Sequence, residues 1–262
     1  MATMNYVIGN LVTVDTLDSV SGEDGSGFYD KENLYNKCQS KPLRFNAKSD
    51  CYGLVDLGSD TQVKFSGIIN HNLESPTVFK IKAYLQATGK PANAAAAADW
   101  EDDFAVVSKC PNSFLSFDKT YRYWLFHITE AALANYPEVG EFILQSSIGS
   151  FTRNFVVPYT EIRKYIKTQH VTHYQQKWRT QVAKLAAFKL DFKGATDANL
   201  ISEVEDMFDD IGADPFVFIP NDSETYSWYA EIMNDLEAQQ QFVNYNDFSI
   251  QLEEQARGIT LL

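Results

Sequence analysis

The amino-acid sequence predicts a mainly β chain in two parts: a β-sandwich, then an α+β module built on an antiparallel sheet with one main helix. Three observations lead there. Residues Tyr52 to Leu85 carry apolar strand patterns around a polar Asn-His-Asn turn, and Tyr121 to Ile128 is largely apolar on both faces. Leu200, Val204, Phe208 and Ile211 recur at helical spacing.

The chain opens on an apolar strand, Tyr6 to Val14, and then passes through SVSGEDGSGF, a loop on turn chemistry. Asn33-Leu34-Tyr35 and Leu43-Arg44-Phe45 follow. A strand pattern ending at Asp56-Leu57-Gly58 runs into Val63, Phe65 and Ile69, turns at Asn70-His71-Asn72, and resumes with strict alternation at Phe79, Ile81, Ala83 and Leu85. The stretch QATGKPANAAAAADWEDD holds too few alanines to nucleate an isolated helix and reads as a surface loop with one helical turn. Tyr121 to Ile128 puts Arg122, Trp124, Phe126 and Ile128 on one face and Tyr121, Tyr123, Leu125 and His127 on the other, as a central strand would. Gly140 to Leu144 supplies a final sandwich strand. The expected core is Val55, Leu57, Ile69, Phe79, Ile81, Trp124, Phe126 and Phe142.

From Phe151 to Gln176 the periodicity fades, so the sandwich is expected over residues 1–165, an irregular connector over 166–176 and the second module over 177–262. That module begins with a strand through Phe188, Leu190 and Phe192. Asp197 is then an N-cap and Gly212 a C′ residue for a helix ending at Ile211. Short strands at Pro215 to Pro220, Tyr226 to Met233 and Phe248 to Leu252 complete an antiparallel α+β unit.

Thirty-five acidic against 22 basic side chains give a net charge of −13, which repels a phosphate backbone, and no Lys/Arg stripe compensates. Nucleic acid and anionic membrane surfaces are therefore excluded as expected partners. The first residues lack a basic n-region and a long apolar core, and no run approaches the ~18 apolar residues of a membrane span, so synthesis and folding in a cytoplasm are expected. Cys38, Cys51 and Cys110 are odd in number and contain no CxxC pair, so neither a closed disulfide framework nor a zinc ribbon is expected.

Candidate chemistry is sparse. His170 and His173 form HxxH, but no carboxylate or cysteine beside them completes a metal set. The acidic runs Glu101-Asp102-Asp103, Asp209-Asp210 and Glu253-Glu254 would serve a glycosidase only if two carboxylates met in a cleft. No phosphate-binding glycine loop, GxSxG elbow or local Cys-His arrangement occurs. The expectation is a binding or structural protein, not an enzyme, with no catalytic residue, cofactor or metal. Tyr121, Tyr123, Trp124, Trp228 and Tyr229 read either as a sugar-stacking platform or as core. Asn70, His71 and Asn72, at the tip of a sandwich, are candidate glycan or partner contacts; their other role is to hydrogen-bond the turn, whose asparagines tolerate left-handed backbone.

The order of short motifs resembles the tail-tip and distal-tail structural proteins of tailed bacteriophages, which carry a galactose-binding-like, jelly-roll β-sandwich. The landmarks are Asn33-Leu34, Asp56-Leu57-Gly58, His71-Asn72-Leu73, Tyr123-Trp124 and Val139-Gly140-Glu141, followed by Gly212-Ala213-Asp214-Pro215-Phe216 and the closing Leu252-Glu253-Glu254. The resemblance implies a virion component: a ring subunit, sixfold like the tail tube, connecting tube and tip and contacting copies of itself and tail-tip or hub proteins. A rival reading is a carbohydrate-binding protein that recognises a cell-surface glycan through the sandwich loops, and the two are compatible. A hydrolase whose carboxylates meet only in three dimensions is the remaining alternative.

Overall fold

The computed structural model describes residues 5–23, 28–37, 41–74, 78–106, 112–129, 135–151, 160–171, 177–195, 198–212, 214–220, 228–234, 239–242 and 245–254. The fold is mainly β with antiparallel pairing, as the sequence predicts. Its strands in chain order are β1 (Asn5–Val7), β2 (Leu17–Val20), β3 (Leu43–Arg44), β4 (Cys51–Ile69), β5 (Val78–Tyr84), β6 (Trp100–Asp103), β7 (Ser113–Thr129), β8 (Glu138–Val139), β9 (Glu141–Gln145), β10 (Gly149–Ser150), β11 (Thr160–Val171) and β12 (Lys177–Ala195). Helix α1 (Ala198–Ile211) follows, then β13 (Phe216–Ile219), β14 (Trp228–Ile232), β15 (Gln239–Phe242) and β16 (Tyr245–Glu254).

The chain divides into two compact units, Val7–Gly149 with Ser223–Ser227, and Met1–Tyr6 with Ser150–Asp222 and Trp228–Leu262. The first contains a sheet of order β2-β4-β7-β5-β6, with β9 also paired to β4, and the two-stranded sheet β3-β8. Leu43, Phe45 and Val139 from the small sheet and its flank share one core with Val55, Ile81, Trp124, Phe126 and Phe142 of the large one, and the rings of Phe45 and Phe126 meet edge-on at 6.2 Å. Seven of the eight expected core residues are buried; Leu57 is half-buried against the core. Central β7 uses both faces as expected, because Tyr123 and Leu125 pack with Leu54 and Tyr84 on the side opposite Trp124.

That second face corrects the reading of the alanine-rich excursion. It does not lie idle at the surface: Ala94 is 1% exposed and packs on Tyr84, Tyr123 and Leu125, with Ala96 and Ala98 beside it. Lys82 Nζ donates to the Ala94 carbonyl at 2.6 Å and Tyr84 Oη to that of Ala96 at 3.2 Å, so small side chains let the loop backbone approach the sheet.

Strand β4 is one continuous element, not two, and its register shifts beyond Asp56 accommodate Gly58 at φ 80°, a backbone region open mainly to glycine. Arg122 pins that irregularity with a bidentate grip on Asp56, at 2.7 and 3.0 Å, and holds its carboxyl below the usual range. The Asn70–Asn72 turn does not close a hairpin either: β5 pairs β7 and β6, while β4 pairs β7, β2 and β9.

The second unit holds a sheet of order β10-β1-β13-β14-β16-β12-β11, with β15 paired to β16. Its makeup differs from the expected boundaries, since β1 and β10 belong to this sheet and the segment read as an irregular connector contains half of β11, paired to β12 from Thr160↔Lys189 to Val171↔Lys177. This pairing is invisible to short-range periodicity because β11 and the first residues of β12 (Lys177–Gln181) are largely polar in sequence and the register shifts at Ile166/Lys167. Helix α1 ends as predicted, with Gly212 at φ 55° donating to the Phe208 carbonyl at 3.0 Å. Its buried stripe is Val204, Met207 and Ile211, while Phe208 is half-buried. The expected N-cap, Asp197, lies outside the described residues.

Candidate ligand-binding pocket

The turn at Asn70–Asn72 is where the sequence pointed, and its side chains are engaged in holding the fold. Asn70 adopts φ 54°, as an asparagine can, and its backbone N–H donates to Asn112 Oδ1 at 2.9 Å. His71 is 4% exposed. Its Nδ1 accepts the Leu73 N–H at 3.3 Å, which leaves Nε2–H to donate to Ser113 Oγ at 2.9 Å, and Ser113 donates onward to the Ala105 carbonyl at 3.1 Å. Asn72 clamps the approach to β8: Oδ1 accepts the Glu138 N–H at 2.9 Å and Nδ2 donates to the Tyr136 carbonyl at 2.8 Å.

From Glu138 the connections lead to a pocket. Its carboxylate takes Arg44 Nε at 2.6 Å and also contacts Nη2, and the Arg44 guanidinium lies 3.8 Å from the centre of the Tyr29 ring. On either side of Tyr29 are Phe28 and Asp30, which with Glu32, Asn33, Tyr35, Asn36 and Lys41 line a pocket of about 380 Å³. That volume lies in the range of small-ligand sites, roughly 300–1,000 Å³.

The pocket is built by a short 3-10 turn, Lys31–Leu34, whose Leu34 is fully buried in the sandwich core. Asn33, 7% exposed, ties the wall together: Nδ2 donates to the carbonyls of Phe28 and Pro42 at 3.2 and 3.3 Å, and Oδ1 accepts Asn36 Nδ2 at 2.7 Å. Burial, then the charge of Glu32, pushes the Tyr35 phenol up, so it stays a hydroxyl able to donate and accept. Phe28 is 74% exposed. The wall thus offers aromatic area, the amide of Asn36, two carboxylates and one amine to a polar ligand.

The sequence holds the signal for this wall in FYDKENLYNK, where aromatics and amides interleave directly after a Gly/Ser loop. The stretch lacks the periodicity that marks an element, so no local pattern announces it as a pocket wall. The other sequence candidates are dispersed. Tyr123, Trp124 and Tyr229 are buried and Trp228 packs at 4.5 Å on Phe188, so the aromatics form core, not a platform. Glu101 and Asp103 lie on β6 beside Lys80, which holds the Glu101 carboxyl below its usual range. Cys51 is buried, and burial, then Asp50, pushes its thiol up to about 11, which leaves little thiolate for nucleophilic chemistry at neutral pH. Cys38, Cys110 and His173 lie outside the described residues; His170 is on β11. Among the described residues no three metal-ligating side chains converge, and no helix is long and apolar enough to cross a membrane.

No protein-family model matches the chain, and no curated protein matches it. Among solved structures, similar chains include SpGH29, at 13% identity and a TM-score of 0.39, with 53% of this chain and 28% of that one covered. The lectin domain of Lectinolysin, complexed with Lewis B antigen, aligns at 14% identity and a TM-score of 0.42, over 53% of this chain and 97% of that one. A fucose binding module of Streptococcus pneumoniae aligns at 14% identity and a TM-score of 0.41, over 53% of this chain and 96% of that one. Each likeness covers about half of the present chain, and the chain spans 28% of the length of SpGH29.

Proposed function

We propose that this protein binds carbohydrate and holds the sugar in the pocket at residues 28–41. The observation that carries the reading is the 74% exposed ring of Phe28 in a pocket otherwise faced by Tyr35, an amide, carboxylates and an amine. A pyranose presents an apolar C–H face and a perimeter of hydroxyls, so a ring beside convergent donors and acceptors matches both parts at once. The Asn72–Glu138–Arg44–Tyr29 series fixes one side of the pocket to the strand framework, which lowers the ordering cost of binding. In this reading Asn70, His71 and Asn72 act on the ligand through that framework, and the protein binds without turnover.

The test is a glycan array on the full chain, followed by titration calorimetry with the saccharide that binds best. Phe28→Ala should weaken that affinity at least tenfold, about 1.4 kcal/mol, with an unchanged melting temperature. An array without selective binding, or a variant that binds as well as its parent, rejects the reading.

The resemblance to tail-tip proteins adds a setting to the same proposal: a ring subunit of a virion between tail tube and tip, with the pocket directed at a host-surface glycan. Mass spectrometry of purified particles checks this separately. Absence of the chain from them removes the setting and leaves sugar binding to the array.

A further inference from the structure

The sandwich carries a second exposed aromatic ring that the pocket does not use. Among the described residues the exposed large apolar side chains are Val14, Phe28, Val78, Tyr136, Ile162 and Met233, and of these only Phe28 and Tyr136 are aromatic. Both stand at the ends of one series of contacts. Phe28 adjoins Tyr29, whose ring lies against the Arg44 guanidinium; Arg44 grips Glu138, and Tyr136 is two residues before Glu138.

The series follows the outer side of the small β3-β8 sheet. Leu43, Phe45, Pro137 and Val139 are buried, whereas Arg44 and Glu138 are half-buried and Tyr136 is exposed, so alternation along the two segments puts Arg44, Glu138 and Tyr136 together away from the core. Tyr136 is also fixed in place. Its carbonyl accepts Asn72 Nδ2 at 2.8 Å, and the Pro137 carbonyl accepts the Phe45 N–H at 3.1 Å. The Tyr136 ring is 47% exposed, and Lys48 Nζ stands 5.4 Å from its centre, which sets a hydrogen-bond donor beside an apolar surface as the pocket does. A ring held in this way can stack on the apolar face of a sugar with little further ordering cost.

The separation of the two rings sets the length of the ligand. Arg44 N–H donates to the Tyr29 carbonyl at 3.4 Å, and Arg44 pairs with Glu138 across the sheet. Two such steps at about 4.8 Å each put the backbones of Tyr29 and Glu138 roughly 10 Å apart. A single pyranose does not bridge that interval, and the half-buried Arg44–Glu138 pair lines the path between.

We propose that Tyr136 forms a second sugar subsite, so that the sandwich takes an oligosaccharide of more than one residue, laid from Phe28 across Arg44 and Glu138 to Tyr136. This rests on the pocket reading above and extends it from one sugar to a chain.

The experiment titrates the full chain, followed by nuclear magnetic resonance, with matched monosaccharides and trisaccharides: galactose and galactotriose, mannose and mannotriose, glucose and cellotriose, N-acetylglucosamine and its trimer. In the pair that binds, the trisaccharide should bind about tenfold tighter than the monosaccharide. Tyr136→Ala should remove that gain while monosaccharide affinity and melting temperature stay as in the parent, and Tyr136→Phe, which keeps the ring, should retain most of it. Phe28→Ala should weaken both sugars. Tyr136→Gln replaces Tyr136→Ala if circular dichroism shows that the latter does not fold, and should also remove the gain. Equal affinity for the two sugars, a gain that survives loss of the Tyr136 ring, or a loss that extends equally to the monosaccharide overturns the second subsite and leaves the pocket reading standing. A panel in which no sugar binds overturns the subsite, and a blank glycan array beside it removes the pocket reading as well.

Discussion

Replacing Trp124 by Ala should be the most damaging single truncation in the sandwich. The indole is 0% exposed, stacks on Phe117 at 5.4 Å and meets Tyr121 and Trp100 edge-on at 5.9 and 6.0 Å. Its N–H donates to the Tyr121 carbonyl at 3.1 Å. Emptying a buried Trp site costs about 3–5 kcal/mol, and three ring partners at about 0.5–1.5 kcal/mol each put this one near the top of that range. For a unit of this size, 1 kcal/mol moves the melting temperature by roughly 2–4 °C, so a fall of about 10–20 °C is expected. Trp124→Phe keeps the stack on Phe117 and should recover more than half of the loss. Differential scanning calorimetry of the full chain, with near-ultraviolet circular dichroism to follow the aromatic core, reads both variants. A Trp124→Ala protein melting within 2 °C of the parent would refute the packing on which the sandwich assignment rests.

Gly53→Ala should destabilise by about 1–3 kcal/mol through overpacking, because an added Cβ would stand 2.5 Å from Cε1 of the fully buried Phe126; urea unfolding with an unchanged midpoint would contradict this. Ser66→Ala should stabilise by about 0.5–1.5 kcal/mol, since the buried Ser66 Oγ has no hydrogen-bond partner among the described residues and its desolvation is uncompensated; a lower midpoint would count against it. His127, 6% exposed, donates to Asp50 Oδ1 at 2.7 Å, yet burial holds its pKa below the ordinary value. The unfolded chain therefore takes up this proton at a higher pH, near 6.5, than the folded chain does, and stability should fall as pH drops through that value. His127→Gln should flatten urea midpoints measured between pH 7.5 and 5, and an unchanged slope would disprove the assignment.

What was legible in the sequence was whatever a short window can hold. Alternation at Phe79–Ala83 and Trp124–Ile128 marked strands buried on one or both faces, and apolar spacing with a following Gly212 marked α1 to within a residue at its end. What stayed hidden depended on distant partners. Gly58 looked like a strand end because its left-handed backbone is invisible in the letter string, and β4 continues past it only because β7 holds both sides. The alanines at 94, 96 and 98 looked solvent-facing because nothing local announces the apolar outer face of β7 that they cover. At the pocket, Phe28 and Asn33 are separated by a 3-10 turn whose closure rests on carbonyls at positions 28 and 42, and a loop of that kind has no period to detect. The Asn-His-Asn turn was visible, but its polar residues reflect the need to satisfy buried backbone, which uses the same amides that sugar recognition does.

Strands β1 and β10 are hydrogen-bonded neighbours, although the whole sandwich lies between them in sequence. Bringing two points so far apart on a disordered chain into register costs roughly 4 kcal/mol of closure entropy for about 140 intervening residues, against about 1–2 for a linker of a few residues. A prefolded sandwich acts as that short linker. The amino-terminal strand should therefore enter its sheet late, after the sandwich has formed, and a destabilised sandwich should slow completion of that sheet. The same adjacency makes residues 8–148 an excursion that leaves and returns to one sheet on two hydrogen-bonded strands, β1 and β10. A chain built in this way can vary that excursion without redesigning the sheet that it leaves and re-enters.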